Sequence, residues 1–160
     1  MARPYRGADA DALWELKRGF ELGLGAGTGD DGKAAVYREK LDADYRASYL
    51  AWVRRCVDGN DRCVQLAEPD GQPVGYVFVL PASLSHIWDA AVLNEVFVRE
   101  ADRGTGVADD LLAAALSVAR GQNLPLDRLV LDVDPDNERA RAFYERWGFE
   151  PWGEILAREL

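Results

Sequence analysis

Apolar positions along the chain repeat first at a helical period, then at a strand period, and then alternate between the two. Leu13, Leu16 and Phe20 follow Asp9 at helical spacing, so the pattern predicts a helix over 9–22 with Asp9 as its cap. The stretch "GLGAGTGDDG" (23–32) interrupts the periodicity and reads as a glycine-rich connection. A second stripe of Leu41, Tyr45, Tyr49, Trp52 and Cys56 predicts one helix over 33–57. The period then shortens. "RCVQLAE", "PDGQ" and "PVGYVFVL" read as a hairpin turning at Asp70-Gly71, and "WDAAVLNEVFV" (88–98) as a third strand.

Val107, Leu111, Ala115 and Ala119 restore the helical spacing, and Gly121 is expected to end that helix as a left-handed cap. "RLVLDVD" (128–134) has no break in its apolar run and reads as a central strand. A helix over 137–147 stopped by Gly148 follows, and "FEPWGEILAREL" reads as one or two strands. The order α α β β β α β α β, without repeats or linkers, predicts one mixed α/β domain over 1–160.

Composition narrows the function. A chain of 160 residues that is 48% hydrophobic can bury a core, and it contains no apolar run of membrane-spanning length. It is expected to be a soluble, cytoplasmic protein without a membrane partner. A net charge of −9 opposes nucleic-acid binding and permits a cationic substrate such as an amine, although solubility alone also accounts for it. Cys56 and Cys63 are too few for a disulfide framework or a zinc site, and His86 is the single histidine. No metal is expected.

Two glycine loops compete as phosphate sites. "GTGDDGKA" (27–34) has most of a P-loop, but Ala34 stands where a hydroxyl would meet magnesium. Asp30 and Asp31 would also repel a triphosphate, and a helix rather than a strand precedes the loop. "RGTGVA" (103–108) has the right setting, with a strand before it and a helix after it. Gly104 and Gly106 let an anion approach the backbone, the helix from Val107 aims its free N–H groups there, and Arg103 adds a charged donor. A plain strand-to-helix turn is the competing reading. Asp109 and Asp110, in the first helical turn, count against an anion unless they face away.

A second motif lies about thirty residues downstream, in "VDPDNERARAFYERWGFE": Asn137, Ala140, Phe143, Tyr144, Gly148 and Phe149. With Arg103-x-x-Gly106-x-Ala108, it resembles the GNAT superfamily of N-acetyltransferases, with its Q/R-x-x-G-x-G/A loop and N-x-x-A-x-x-F-Y-x-x-x-G-F helix. The element order fits nearly the whole chain. The resemblance implies a central, mostly antiparallel twisted sheet, splayed at the cofactor site and flanked by helices on both faces.

It also implies acetyl-CoA as co-substrate. Its pyrophosphate would lie on the backbone of Gly104, Thr105, Gly106, Val107 and Ala108 with Arg103 assisting, and its pantetheine arm along Val96, Phe97 and Val98. Asn137 would bond its amide portion, or simply cap the helix. The Val98 N–H would stabilise the oxyanion of a tetrahedral intermediate, and Tyr144 would protonate the departing thiolate, the alternative being a core tyrosine with a bonded hydroxyl. Glu95, an acid on an otherwise apolar strand, is the candidate base; the alternatives are an ordinary exposed residue or an ion-paired one, with Asp89, Asp132, Asp134 or water taking the proton. Tyr37, Tyr45, Tyr49, Trp52 and Trp88 could line an acceptor pocket or, on the helices, pack the core. The implied reaction is direct attack of a primary amine, on a small molecule or a protein, upon acetyl-CoA. A non-catalytic acyl-CoA-binding or sensing module is the alternative, and a homodimer fits the family.

Overall fold

The first strand is an element that periodicity does not announce. Ala2–Pro4 (β1) is three residues long and contains a proline and an arginine, yet it pairs antiparallel with Val64–Ala67 (β2). Tertiary pairing creates it at a sheet edge, the position where proline is tolerated. The computed structural model of the chain describes residues 1–27 and 31–160.

Helix α1 spans Ala10–Gly27 and so continues past Leu22 into the glycine-rich stretch expected to be a loop. Each added glycine costs about 1 kcal/mol in a helix, but extending an existing helix needs no new nucleus. The phosphate-loop look-alike and the loop expected at 23–32 both include residues 28–30, which lie outside the described residues. The single helix expected over 33–57 is two: Asp31–Lys40 (α2) and Ala43–Gly59 (α3). Asp42 divides them, because its side chain accepts the Tyr45 N–H at 2.8 Å and starts α3 afresh.

The hairpin forms as expected from β2 and Gly75–Val79 (β3), and β3 pairs antiparallel with Ala91–Val98 (β4). Ser85–Trp88 is a short helix (α4), which shortens the third strand relative to its expected start. After β4 come α5 (Val107–Arg120), β5 (Leu129–Val130) and α6 (Glu138–Arg146). The sheet order is β1-β2-β3-β4-β5, antiparallel except for the parallel β4–β5 pair. Helices cover both faces, α1 and α3 on one and α5 with α6 on the other.

Three further expectations fail for local reasons. The strand expected over 128–134 is two residues long and lies at the sheet edge, not its centre. Gly121 has φ −78°, so α5 ends in right-handed torsions, with the Gly121 N–H shared between the carbonyls of Ser117 and Val118. Residues 151–160 form no strand and are exposed. Nothing in that segment alternates strictly, and Pro151 and Gly153 interrupt it.

One irregularity decides which side chains reach which face. Val79 lies opposite Leu93 and Phe78 opposite Glu95, so Asn94 is an extra residue in β4, a β-bulge. Strict alternation would put Leu93, Glu95 and Phe97 on one face. The bulge instead sends Leu93 to the α5 face with Val96 and Val98, while Phe97 packs on the α1/α3 face. Close approach follows on both sides: a Cβ at Gly19 would fall 2.5 Å from the Phe97 ring, and one at Gly75 would fall 2.8 Å from the Phe97 carbonyl oxygen.

Candidate active site

β4 changes character along its length. Ala91 and Val92 pair with Leu129 and Val130 of β5, and no pairing with β5 continues beyond Val92. Farther on, Arg99 donates to Val74 O at 2.8 Å and Phe97 lies opposite Tyr76. N–H groups alternate sides along an antiparallel strand, so those of Val96 and Val98 point away from β3, into the open edge. The Val98 carbonyl on that edge accepts Arg103 Nε at 3.2 Å, which ties the loop back to the strand. Arg103, expected as a phosphate donor, thus spends one of its five N–H groups on positioning the loop.

The loop itself holds two left-handed residues, Gly104 (φ 78°) and Gly106 (φ 90°). Gly106 is the N-cap of α5 and has no side-chain cap, and the first helical bond runs from Asp110 N to Gly106 O at 3.1 Å. The amides of Gly104, Thr105, Gly106, Val107, Ala108 and Asp109 therefore have no acceptor among the described residues. Free N–H groups converging at a helix start form an anion cradle. The two aspartates beside it are turned to other partners. Asp109 Oδ1 accepts Arg146 and Trp147 Nε1, both at 2.8 Å, and Asp110 Oδ2 lies 3.0 Å from the Met1 amino group. The Arg146 bond and then the Trp147 bond hold the Asp109 carboxyl below its usual range, so it stays paired and anionic.

That same Asp109 contact brings the start of α5 to the end of α6, where Tyr144 lies. The end of α6 is a Schellman cap: Gly148 (φ 86°) donates to Glu145 O at 2.9 Å, and Phe149 donates to Tyr144 O at 3.0 Å. The cap closes the Phe149 ring on Tyr144 (5.6 Å between centroids), with Phe143 at 5.4 Å on the same ring. Burial pushes the Tyr144 phenol up to about 12, and its hydroxyl has no partner among the described residues. Asn137 caps the other end of α6, its Oδ1 accepting Ala140 N–H at 3.1 Å, as the capping alternative held.

Glu95 does not stand free. Its Oε2 takes Lys17 Nζ at 2.6 Å, and its Oε1 takes the hydroxyls of Tyr49 (2.7 Å) and Tyr76 (3.0 Å). Three donors thus meet this carboxylate, the arrangement that the ion-paired alternative to a general base describes. Lys17 also meets Glu21 at 2.5 Å, and Lys40 reaches Glu21 at 2.8 Å. Burial alone would push the Lys17 ammonium down; Glu95 first, and then Glu21, reverse this and leave it raised. Burial would likewise raise Glu21, but its bonds from Lys17 and Lys40 leave it lowered. Sequence reading missed this cluster, although Lys17 and Glu21 stand four residues apart inside the apolar stripe of α1.

Of the expected pocket aromatics, Tyr49 and Tyr45 belong to the core beneath α3, Trp52 packs near Phe78, and Trp88 is exposed. Tyr37 lies against Lys40, with the ammonium 4.1 Å from the ring centre. His86 is exposed on α4, and Asp89 has the left-handed φ of 54° at the turn into β4. Among the described residues no helix is long and apolar enough to cross a membrane.

A splayed α/β sheet with an anion cradle after its fourth strand defines a class, and comparison with known proteins identifies it. The chain belongs to the acetyltransferase (GNAT) family, whose model matches residues 30–149. It is an acyl-CoA-dependent N-acetyltransferase by class. An uncharacterized N-acetyltransferase, YhfO, of Bacillus subtilis (strain 168) is 30% identical over 118 residues, 71% of this chain and 74% of that protein. The crystal structure of the PaiA N-acetyltransferase from Thermoplasma acidophilum in complex with coenzyme A has the same fold. Its TM-score is 0.71 at 19% identity, over 94% of this chain and 89% of that one. The ribosomal-protein-alanine N-acetyltransferase from Brucella melitensis gives a TM-score of 0.70 at 26% identity, over 96% and 86% of the two chains.

Proposed function

We propose that the protein transfers an acetyl group from acetyl-CoA to a primary amine by direct attack. The observation that carries this reading is two sets of backbone donors without an acceptor among the described residues, Val96 and Val98 on the open β4 edge and the amides of 104–109. An extended pantetheine arm can complete the edge as a strand would, and a pyrophosphate suits the amide cradle. The residues therefore fit the co-substrate. In the bound state acetyl-CoA would supply the activated thioester carbonyl.

The roles of the chain's own groups follow. The amides of Gly104 to Ala108 would bind the pyrophosphate, with the remaining Arg103 donors assisting. The Val98 N–H, fixed in the ladder and pointing into the open edge, would hold the charge developing on the carbonyl oxygen. Tyr144 would give its proton to the departing sulfur. Burial keeps that phenol protonated, which a proton donor requires. Glu95 keeps its bonds to Lys17, Tyr49 and Tyr76 and acts by positioning β4, so the amine loses its proton to water.

The test is release of free CoA thiol from acetyl-CoA across a panel of amines, with thermal stabilisation by acetyl-CoA measured in parallel. Stabilisation with amine-dependent thiol release supports the transferase reading. Stabilisation without release for any amine would point to a non-catalytic acyl-CoA-binding module.

A further inference from the structure

A cavity of about 240 Å³ opens at the bulge, between α1 and the free edge of β4. Phe20 and Leu24 wall it from α1, the bulged segment Leu93–Val96 borders it from β4, and Asp132 closes it from the segment after β5. Two carboxylates border this space, in opposite states. Glu95 is committed to Lys17 at 2.6 Å and to two tyrosines. Asp132 is exposed and has no hydrogen-bond or ion-pair partner among the described residues. Among the described residues no lysine or arginine lines the cavity. Its lining is therefore two apolar side chains of α1, the β4 segment Leu93–Val96 with its paired Glu95, and one negative charge uncompensated among the described residues.

We infer that this cavity is the acceptor subsite and that it takes a small monocationic amine with an apolar body. Asp132 holds the ammonium, and Phe20 and Leu24 receive the hydrocarbon part against the β4 segment Leu93–Val96. The inference deepens the transferase reading and rests on it. Size sets the first limit, since the cavity is smaller than the roughly 300–1,000 Å³ of sites for drug-sized ligands. Charge sets the second. A polycation would leave ammonium groups against apolar walls without partners, and a carboxylate-bearing acceptor would meet Asp132. The walls are also held in place. Lys17 anchors α1 to β4 one turn before Phe20, and the Phe20 ring rests edge-on against Tyr76 at 6.5 Å.

The experiment measures binding separately from turnover. Calorimetry on the CoA complex compares 2-phenylethylamine and 3-methylbutylamine with spermidine and glutamate, alongside KM for each in the thiol-release assay. The apolar monoamines should bind tightest. Asp132→Asn should weaken their binding by about tenfold or more, the loss of one charge-assisted bond, without changing acetyl-CoA affinity. Leu24→Trp, at a half-exposed wall position that tolerates the larger ring, should weaken 2-phenylethylamine far more than methylamine. Tighter binding of spermidine or glutamate, or unchanged amine affinity in Asp132→Asn, overturns the inference. Transfer to other amines but not to these would sink the subsite while leaving the transferase reading intact. Asp132-dependent binding without any transfer would do the reverse.

Discussion

Two polar regions flank β4, and they differ in whether their groups have partners. On the α1 side, Lys17, Glu21, Glu95, Tyr49 and Tyr76 form a buried cluster in which the charges face one another within 3 Å. At the far end of the strand, six consecutive amides of the glycine loop have no acceptor among the described residues. A buried polar group without a partner is costly, so the first region must be closed for the protein to fold. The second lies where solvent or a ligand can reach it. The contrast separates polar groups that build the scaffold from those that are kept open for a ligand.

Four substitutions break or sharpen that contrast, in order of falling effect. Lys17→Met leaves the buried Glu95 carboxylate without its cation, while Glu21 keeps Lys40, and should cost about 3–5 kcal/mol in urea unfolding. A loss below about 1 kcal/mol would mean that the cluster is not structural. Tyr144→Phe keeps the ring packing and removes only the proton, so kcat should fall at least about 10²-fold while acetyl-CoA binding stays constant. Because the phenol is pushed up to about 12, the wild-type kcat should show no alkaline fall from Tyr144 until the pH approaches that value.

Gly106→Ala tests the open region. No atom lies within 4 Å of the added Cβ, so the cost comes from the left-handed torsions, about 1–2 kcal/mol. It should appear as a lower melting temperature and weaker acetyl-CoA binding. Asp109→Asn is the mildest, at about 0.2–1 kcal/mol, because its pair with Arg146 is exposed. The folded Asp109 carboxyl titrates below its usual range, so its stabilisation is present above that range and is lost as the pH falls through the depressed value. The melting temperatures of wild type and Asp109→Asn should therefore converge in acid.

The helices and the hairpin were legible in the sequence because their apolar spacing matches their burial, as at Leu111, Leu112 and Ala115 on α5. β1 was not, since three residues with a proline carry no period and exist only by pairing with β2. The loop and the Tyr144 helix were legible as motifs, and the structure adds the physical link between them, the bonds from Arg146 and Trp147 to Asp109. The place of Glu95 was not legible. A carboxylate on a strand reads alike whether it is free or paired, and its partners come from three other elements between 19 and 78 residues away in sequence.

The bulge at Asn94 has a consequence for recombining this protein with its relatives. Chain before it and chain after it run one residue out of phase, so chimeras that cross over at Asn94 preserve both phases only if the insert keeps its length. A crossover that drops one residue between Val92 and Val96 turns Leu93 toward the lysine–glutamate cluster. Libraries that vary acceptor choice by exchanging α1 and the first half of β4 should therefore hold that length fixed and let the side chains vary.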